Sequence, residues 1–108
     1  MENLLKALEI LRSLFIDPDC KRPTSCEHDM LYVGQVDYDK VMAEHVRQLA
    51  KLDFYPGSDA DYHYIKMELG DDFDIYDDYE KITDEQWQKL KDSGCLVDCF
   101  HSFVYGSY

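Results

Sequence analysis

Apolar residues near the start of the chain recur at the spacing of an α-helix. Leu4, Leu8, Leu11 and Phe15 lie three or four residues apart and form one stripe, which is typical of a helix that packs against a core by one face. Pro18 follows closely and disfavours the helical conformation in the residue before it. The pattern therefore predicts a helix over residues 3–15.

Two later segments carry helical signals as well. Residues 42–50 repeat their apolar positions at intervals of three and four, which predicts a second helix. Thr83 is followed three residues later by Gln86, and this pair forms a capping box. Gly94 is a favourable terminator, so a third helix is predicted between Thr83 and Gly94.

Three segments are predicted to be strands, two because they alternate with the period of two that strands require and the first because it is apolar and β-branched. They are residues 30–36, 62–69 and 99–105. In the middle segment, the alternation predicts that Ile65 and Met67 face the core while two tyrosines face outward. The acidic residues 70–80 are predicted to form a connection or a short irregular strand.

These elements predict one α+β domain over residues 1–108. An N-terminal helix is followed by helix–strand units on a mostly antiparallel sheet that is covered on one face. A chain of 108 residues suits a single core, and its apolar fraction of 45% is that of a folded protein. The predicted core residues are Leu4, Leu8, Leu11, Phe15, Leu31, Val33, Val46, Leu49, Ile65, Met67, Ile82, Trp87, Leu90, Phe100 and Phe103.

Two parts of the chain are similar to each other. Residues 37–41 (DYDKV) match residues 78–82 (DYEKI) at an offset of 41 residues, and the similarity continues into the helix that follows each of them. The match favours a degenerate repeat of residues 37–69 and 78–105. Chance similarity between two helix starts is the alternative.

The charge balance restricts the classes of partner. The chain has 23 acidic and 11 basic residues, a formal net charge of −12. Such a charge repels nucleic-acid phosphates and anionic membrane surfaces, so we expect a basic protein partner and no direct binding of nucleic acid or membrane. The chain lacks a basic leader and a run of about 20 apolar residues. We therefore expect a cytoplasmic protein.

Carboxylates are concentrated together with tyrosines in one stretch of the sequence. Between Asp59 and Glu85 there are eleven acidic residues and two lysines. Carboxylates can replace phosphates in a basic channel and bind arginine through two hydrogen bonds, while tyrosines stack on arginine as interface anchors. The predicted partner-binding residues are Asp59, Asp61, Tyr62, Tyr64, Asp71, Asp72, Asp74, Tyr76, Asp77 and Asp78. The alternative is an acidic face that only keeps the protein soluble.

Cysteine and histidine suggest a rival function. Cys26 with His28 and Cys99 with His101 form two Cys-x-His pairs, which could supply a tetrahedral zinc site in a small zinc-stabilised accessory protein. The spacing departs from the Cys-x2-4-Cys knuckles of structural zinc sites.

The chain contains none of the glycine-rich phosphate loops or nucleophile motifs that mark many enzymes. We expect no enzyme and no cofactor.

Three segments of the chain resemble small bacteriophage proteins. These segments are residues 26–33 (CEHDMLYV), Val41 with Glu44, Leu49 and Phe54, and residues 100–107 (FHSFVYGS). The size and acidity are also similar in kind to anti-CRISPR proteins, which act stoichiometrically and often occupy the nucleic-acid groove of a host effector. The resemblance implies a phage-encoded inhibitor that acts in the host cytoplasm on a CRISPR effector or another defence complex, as a nucleic-acid mimic. An accessory protein with no defence role is the alternative.

Overall fold

The chain folds into four helices and four short strands in its described part. The computed structural model describes residues 2–16, 24–27 and 30–104, with the side chains of residues 24–27 and of Asp59 outside that description. The helices are α1 (Glu2–Ser13), α2 (Ala43–Lys51), α3 (Tyr62–Leu69) and α4 (Asp84–Ser93). The strands are β1 (Thr24–Glu27), β2 (Met30–Gly34), β3 (Tyr55–Pro56) and β4 (Cys99–Ser102), and 3₁₀ turns occupy Tyr38–Lys40, Asp59–Asp61 and Asp78–Lys81.

The four described strands form one sheet in the order β1-β2-β4-β3, and all their pairings are antiparallel. The α+β prediction is confirmed, because an N-terminal helix precedes helices and strands that share this sheet. Val33 of β2 pairs with Phe100 of β4, and both are fully buried. The central strand pair therefore directs one row of side chains into the core.

The core lies between this face of the sheet and the helices. Leu11 of α1, Val46 and Leu49 of α2, and Leu90 of α4 are fully buried in it, as their helical spacing predicts. Leu4, Leu8 and Leu31 are half-buried and pack against its edge. The core prediction is wrong for two residues, since the Met67 side chain is 70% exposed and that of Phe103 is 47% exposed.

The segment Tyr62–Leu69, predicted to be a strand, is the helix α3. Ile65 and Leu69 lie four residues apart and share one side of that helix, where Ile65 is fully buried. Met67 lies two residues from each, at about 200° around the helix, so its side chain is directed to solvent. The apolar residues of this segment fit the spacing of a strand and also that of a helix. The packing of α3 against α4 decides in favour of the helix.

The capping signals of α4 are confirmed in full. The Thr83 hydroxyl accepts the Gln86 backbone N–H at 3.1 Å, and the Gln86 side chain accepts the Thr83 N–H at 3.0 Å. Gly94 ends the helix in the left-handed conformation, at φ +66°. These three residues determine the helix bounds through contacts within ten or so residues, which is why the sequence reveals them.

The prediction that the sheet is covered on one face is wrong near β3. His101 of β4 pairs with Tyr55 of β3, and both side chains are buried on the face opposite Phe100. The Tyr76 ring covers them, with its centroid 5.0 Å from that of Tyr55 and 6.2 Å from that of His101. The acidic connection 70–80 thus forms part of the packing instead of a free loop.

Candidate functional site: an acidic and aromatic surface

The connection between α3 and α4 alternates buried aromatic or aliphatic anchors with exposed carboxylates. Phe73, Ile75 and Tyr79 are buried, whereas Asp71, Asp72, Asp74 and Asp77 are exposed. These anchors lie two and four residues apart, and burying them restricts the backbone between them. The carboxylates are therefore presented from a segment of defined conformation.

Two carboxylates of this segment also shape its backbone. Asp74 Oδ1 accepts the Tyr76 N–H, and Asp78 Oδ2 accepts the Asp74 N–H, both at 2.8 Å. Such short-range bonds from aspartate to nearby backbone are typical of turns. Asp74 and Asp78 consequently have structural roles in addition to their charge, while no such bond is formed by Asp71, Asp72 or Asp77 among the described residues.

An aromatic cluster lies beside these carboxylates. The Phe103 ring is parallel to Tyr55, with an interplanar angle of 7° and centroids 6.3 Å apart. Tyr76 meets both rings edge-on, 5.0 Å from Tyr55 and 5.1 Å from Phe103. Tyr55 is buried beneath its neighbours, Tyr76 is half-buried, and nearly half of Phe103 is exposed.

A negative field acts on this cluster. The pKa of Tyr55 is raised to about 12, first by burial and then by the nearby carboxylates of Asp53, Glu80 and Asp77, because all of these oppose a phenolate. The same field would stabilise a cation. Among the described residues, the one ion pair within 4.0 Å is Arg47–Asp84, on α2 and α4. The carboxylates next to the aromatic cluster therefore have no ion-pair partner in that part of the chain.

A lysine of the chain already binds an aromatic ring at the other end of the acidic segment. Lys66 Nζ lies 4.6 Å from the Tyr62 ring centroid, in cation–π contact across one turn of α3. A hydrogen bond to Tyr62 raises the Lys66 pKa, and the charges of Asp71 and Asp74 raise it as well. These residues therefore lie close enough to Lys66 to act on it, at the surface where α3 ends.

Two of the predicted partner-binding residues, Asp61 and Tyr64, do not join this surface. Asp61 is 6% exposed, and its Oδ2 accepts the N–H groups of Ser58 and Val97, each at 3.1 Å. Tyr64 is 54% exposed, but it follows Tyr62 by two residues on a helix and projects about 200° away from it. The side chain of Asp59 lies outside the description. The remaining residues are Tyr62, Asp71, Asp72, Asp74, Tyr76, Asp77 and Asp78.

The buried role of Asp61 is linked to a glycine. Gly57 adopts φ +76°, and a Cβ at this position would lie 2.6 Å from Asp61 Oδ2. The loop after β3 thus closes tightly around the Asp61 carboxylate. Glycine is needed at position 57 because the backbone is left-handed there and because a side chain would collide with that carboxylate. The spacing Ser58-x-x-Asp61 was the available sequence signal for this loop closure, since aspartate commonly accepts nearby backbone N–H groups in turns.

Three residues of the surface were missed by the sequence prediction. Phe103 was assigned to the core, while Asp53 and Glu80 carried no assignment beyond charge. All three depend on tertiary packing, because Asp53 precedes β3, Glu80 lies in a 3₁₀ turn and Phe103 follows β4. No local pattern in the sequence joins these positions.

The sheet register separates the predicted zinc ligands. Cys26 occupies the row of Leu31 and Ser102, whereas His101 occupies the adjacent row of Tyr32. Adjacent rows of a sheet face opposite sides, so the position of Cys26 belongs to the face opposite His101. His28 lies outside the described residues. Among the side chains that the structure describes, which do not include that of Cys26, no group of three or more histidine, cysteine or acidic residues could hold a metal ion.

Cys99 and His101 instead hold β4 to the loop after β3. His101 Nδ1 lies 2.8 Å and Cys99 Sγ lies 3.4 Å from the Gly57 carbonyl oxygen. Since a carbonyl oxygen can only accept, the imidazole N–H and the thiol both donate to it. These two hydrogen bonds join strand β4 to the loop that follows β3.

Comparisons of the chain with protein-family models, with curated proteins and with solved structures find no match. No helix in the described part of the chain is long and apolar enough to cross a membrane.

Proposed function

We propose that this protein binds a basic surface of a nucleic-acid-processing partner through the acidic surface formed by Asp71, Asp72, Asp74, Asp77 and the rings of Tyr76 and Phe103. The observation that carries the proposal is the combination of exposed carboxylates without ion-pair partners in the described chain and a half-exposed aromatic cluster among them. A solvated face needs charge alone, whereas here the half-exposed Phe103 ring packs with Tyr76 and Tyr55 next to the carboxylates.

The arrangement of the carboxylates suits a surface that normally receives phosphates. Four exposed aspartates occur within residues 71–77, on a backbone anchored by Phe73 and Ile75. Arginine forks bind carboxylates and phosphates with the same paired hydrogen bonds. Because the segment is pre-organised, binding would order few of its residues and would lose little conformational entropy.

The specific form of the proposal follows the resemblance to phage inhibitors of host defence. In that form the protein is phage-encoded and acts in the host cytoplasm. It occupies the nucleic-acid groove of a CRISPR effector or a comparable complex and prevents DNA engagement. The rival proposal, an acidic face that maintains solubility in an accessory protein, predicts no specific partner.

The test uses two triple variants with the same change in charge. In the first, Asp71, Asp72 and Asp77 are replaced by lysine, because these exposed residues form no structural hydrogen bond among the described residues. Asp74 is kept for its bond to the Tyr76 N–H. The matched control replaces Glu2, Glu9 and Asp92, which are exposed on α1 and α4.

Wild-type protein and both variants are immobilised and exposed to bacterial host lysate, and bound proteins are eluted with duplex DNA. The proposal predicts a basic protein that is retained by the wild type and by the control, is lost by the Asp71/Asp72/Asp77 variant and is released by duplex DNA. Equal retention by both variants, or retention that duplex DNA does not disturb, would overturn it.

A further inference from the structure

The exposed part of the aromatic cluster offers a flat ring with carboxylates around it. Phe103 is 47% exposed although one of its faces packs parallel to Tyr55 at 6.3 Å. Tyr76 stands perpendicular to both rings and so forms a wall on one side. The outer part of Phe103 and the edge of Tyr76 thus both pack against the buried Tyr55.

Three carboxylates lie close enough to this cluster to act on it electrostatically. Asp53, Glu80 and Asp77 all raise the pKa of Tyr55, next to the larger effect of its burial. They come from two parts of the chain, since Asp53 lies between α2 and β3, whereas Asp77 and Glu80 both belong to the acidic connection. Negative charge from both parts of the chain therefore lies close to the aromatic cluster.

We propose that Phe103 and Tyr76, with Asp53, Asp77 and Glu80, form the docking point for a single arginine side chain of the basic partner. This inference rests on the proposed function and identifies its anchor residue by chemistry. The guanidinium would stack on the exposed ring while its N–H groups donate to the nearby carboxylates.

Arginine suits this site better than lysine for physical reasons. A guanidinium is planar, weakly hydrated and always charged, so it can stack on a ring and donate to two carboxylates at the same time. An ammonium has no plane to stack and is strongly hydrated. Lys66 shows the contrast within the same protein, because its ammonium makes a point contact with the single Tyr62 ring.

The test compares short oligoarginine and oligolysine peptides of equal length as probes, with affinity measured by calorimetry. Phe103→Leu removes the ring and keeps an apolar side chain at an exposed position. Tyr64→Leu is the matched control, since Tyr64 is 54% exposed on the side of α3 away from Tyr62. We expect Phe103→Leu to weaken oligoarginine binding about fivefold and oligolysine binding less than about twofold, and Tyr64→Leu to change neither.

The same measurements on the Asp71/Asp72/Asp77 variant separate this inference from the proposed function. If Phe103→Leu leaves the preference for oligoarginine unchanged while the acidic variant loses both peptides, the arginine site is refuted and the acidic surface stands. If the acidic variant binds both peptides as the wild type does, the proposed function fails as well. Thermal unfolding of each variant verifies that the fold is intact.

Discussion

Tyr38 and Tyr79 occupy equivalent positions in the two similar segments, but their hydroxyls have different surroundings. The Tyr38 hydroxyl accepts the Gly57 N–H at 2.9 Å and lies within hydrogen-bonding distance of the Val97 and Cys99 carbonyl oxygens. The Tyr79 hydroxyl is fully buried and has no hydrogen-bond partner among the described residues. The Tyr38 hydroxyl joins β4 to the loop after β3, whereas burial of the unbonded Tyr79 hydroxyl destabilises the folded state.

This difference predicts opposite effects of the same substitution. Tyr38→Phe should lower the free energy of unfolding by about 1–2 kcal/mol, because it removes bonds that the Gly57 loop uses. Tyr79→Phe should leave it unchanged or raise it by about 1 kcal/mol, since a buried hydroxyl without a partner is removed. Urea denaturation of both variants measures the two values. Equal destabilisation would show that the Tyr79 hydroxyl is bonded.

Buried tyrosines also predict how stability depends on alkaline pH. Burial raises the pKa of Tyr38 and Tyr79 above the usual value, and it raises that of Tyr55 to about 12. The unfolded chain ionises its tyrosines near pH 10, so above this pH the native state holds more protons than the unfolded state. Stability is therefore complete below about pH 10 and decreases as pH rises beyond it.

Denaturation curves recorded at increasing pH, with phenolate absorbance as the second observable, test this dependence. Tyr79→Phe should reduce the slope of stability against pH above about pH 10, because one proton-linked group is removed. A slope that is identical in the wild type and the variant would contradict the assignment of Tyr79 as a buried neutral phenol.

At the scale of elements, α3 gives the clearest contrast between two periodicities. In a strand, Ile65 and Met67 would share a face. In the helix, Ile65 is fully buried and Met67 is 70% exposed. Ile65→Ala should therefore cost about 2–5 kcal/mol of stability, the range for truncation of a buried aliphatic side chain. Met67→Ala should change stability by less than about 0.5 kcal/mol. Similar losses in both variants would support the strand instead.

The elements differ in how far the sequence can predict them, for a physical reason. The signals of α4 are local, since Thr83, Gln86 and Gly94 make their contacts within the helix and its ends. The apolar residues of α3 fit both a period of two and a period near four, so only packing against α4 decides. The candidate site behaves likewise: its carboxylates were visible as a sequence cluster, but the place of Phe103 beside them depends on the β3–β4 pairing.

The two similar segments also contact each other reciprocally. Trp87 of α4 donates its indole N–H to the Val41 carbonyl at 2.8 Å, and Arg47 of α2 donates to the Ile82 carbonyl at 2.6 Å. Val41 and Ile82 are equivalent positions, each at the end of a 3₁₀ turn. Each helix therefore satisfies the carbonyl that ends the turn before the other helix. The repeat of residues 37–69 and 78–105 stays a hypothesis that this exchange fits.

For the whole molecule, the net charge of −12 and its local concentration have separate consequences. The total charge repels other acidic molecules from every direction. In the proposed function, the concentration at Asp71, Asp72, Asp74 and Asp77 would orient a basic partner as it approaches, which would increase the association rate at low ionic strength. Two variants with equal total charge can therefore differ in association rate only through where the charge was changed.

The association rate with the partner captured from lysate, measured at increasing ionic strength, tests the central claim most directly. The account predicts that the Asp71/Asp72/Asp77→Lys variant associates at least about tenfold more slowly than the wild type at low salt, and that this difference shrinks as salt screens the charges. The Glu2/Glu9/Asp92→Lys control should remain within about twofold of the wild type. Equal rates for the two triple variants would contradict the account, because only total charge would then matter.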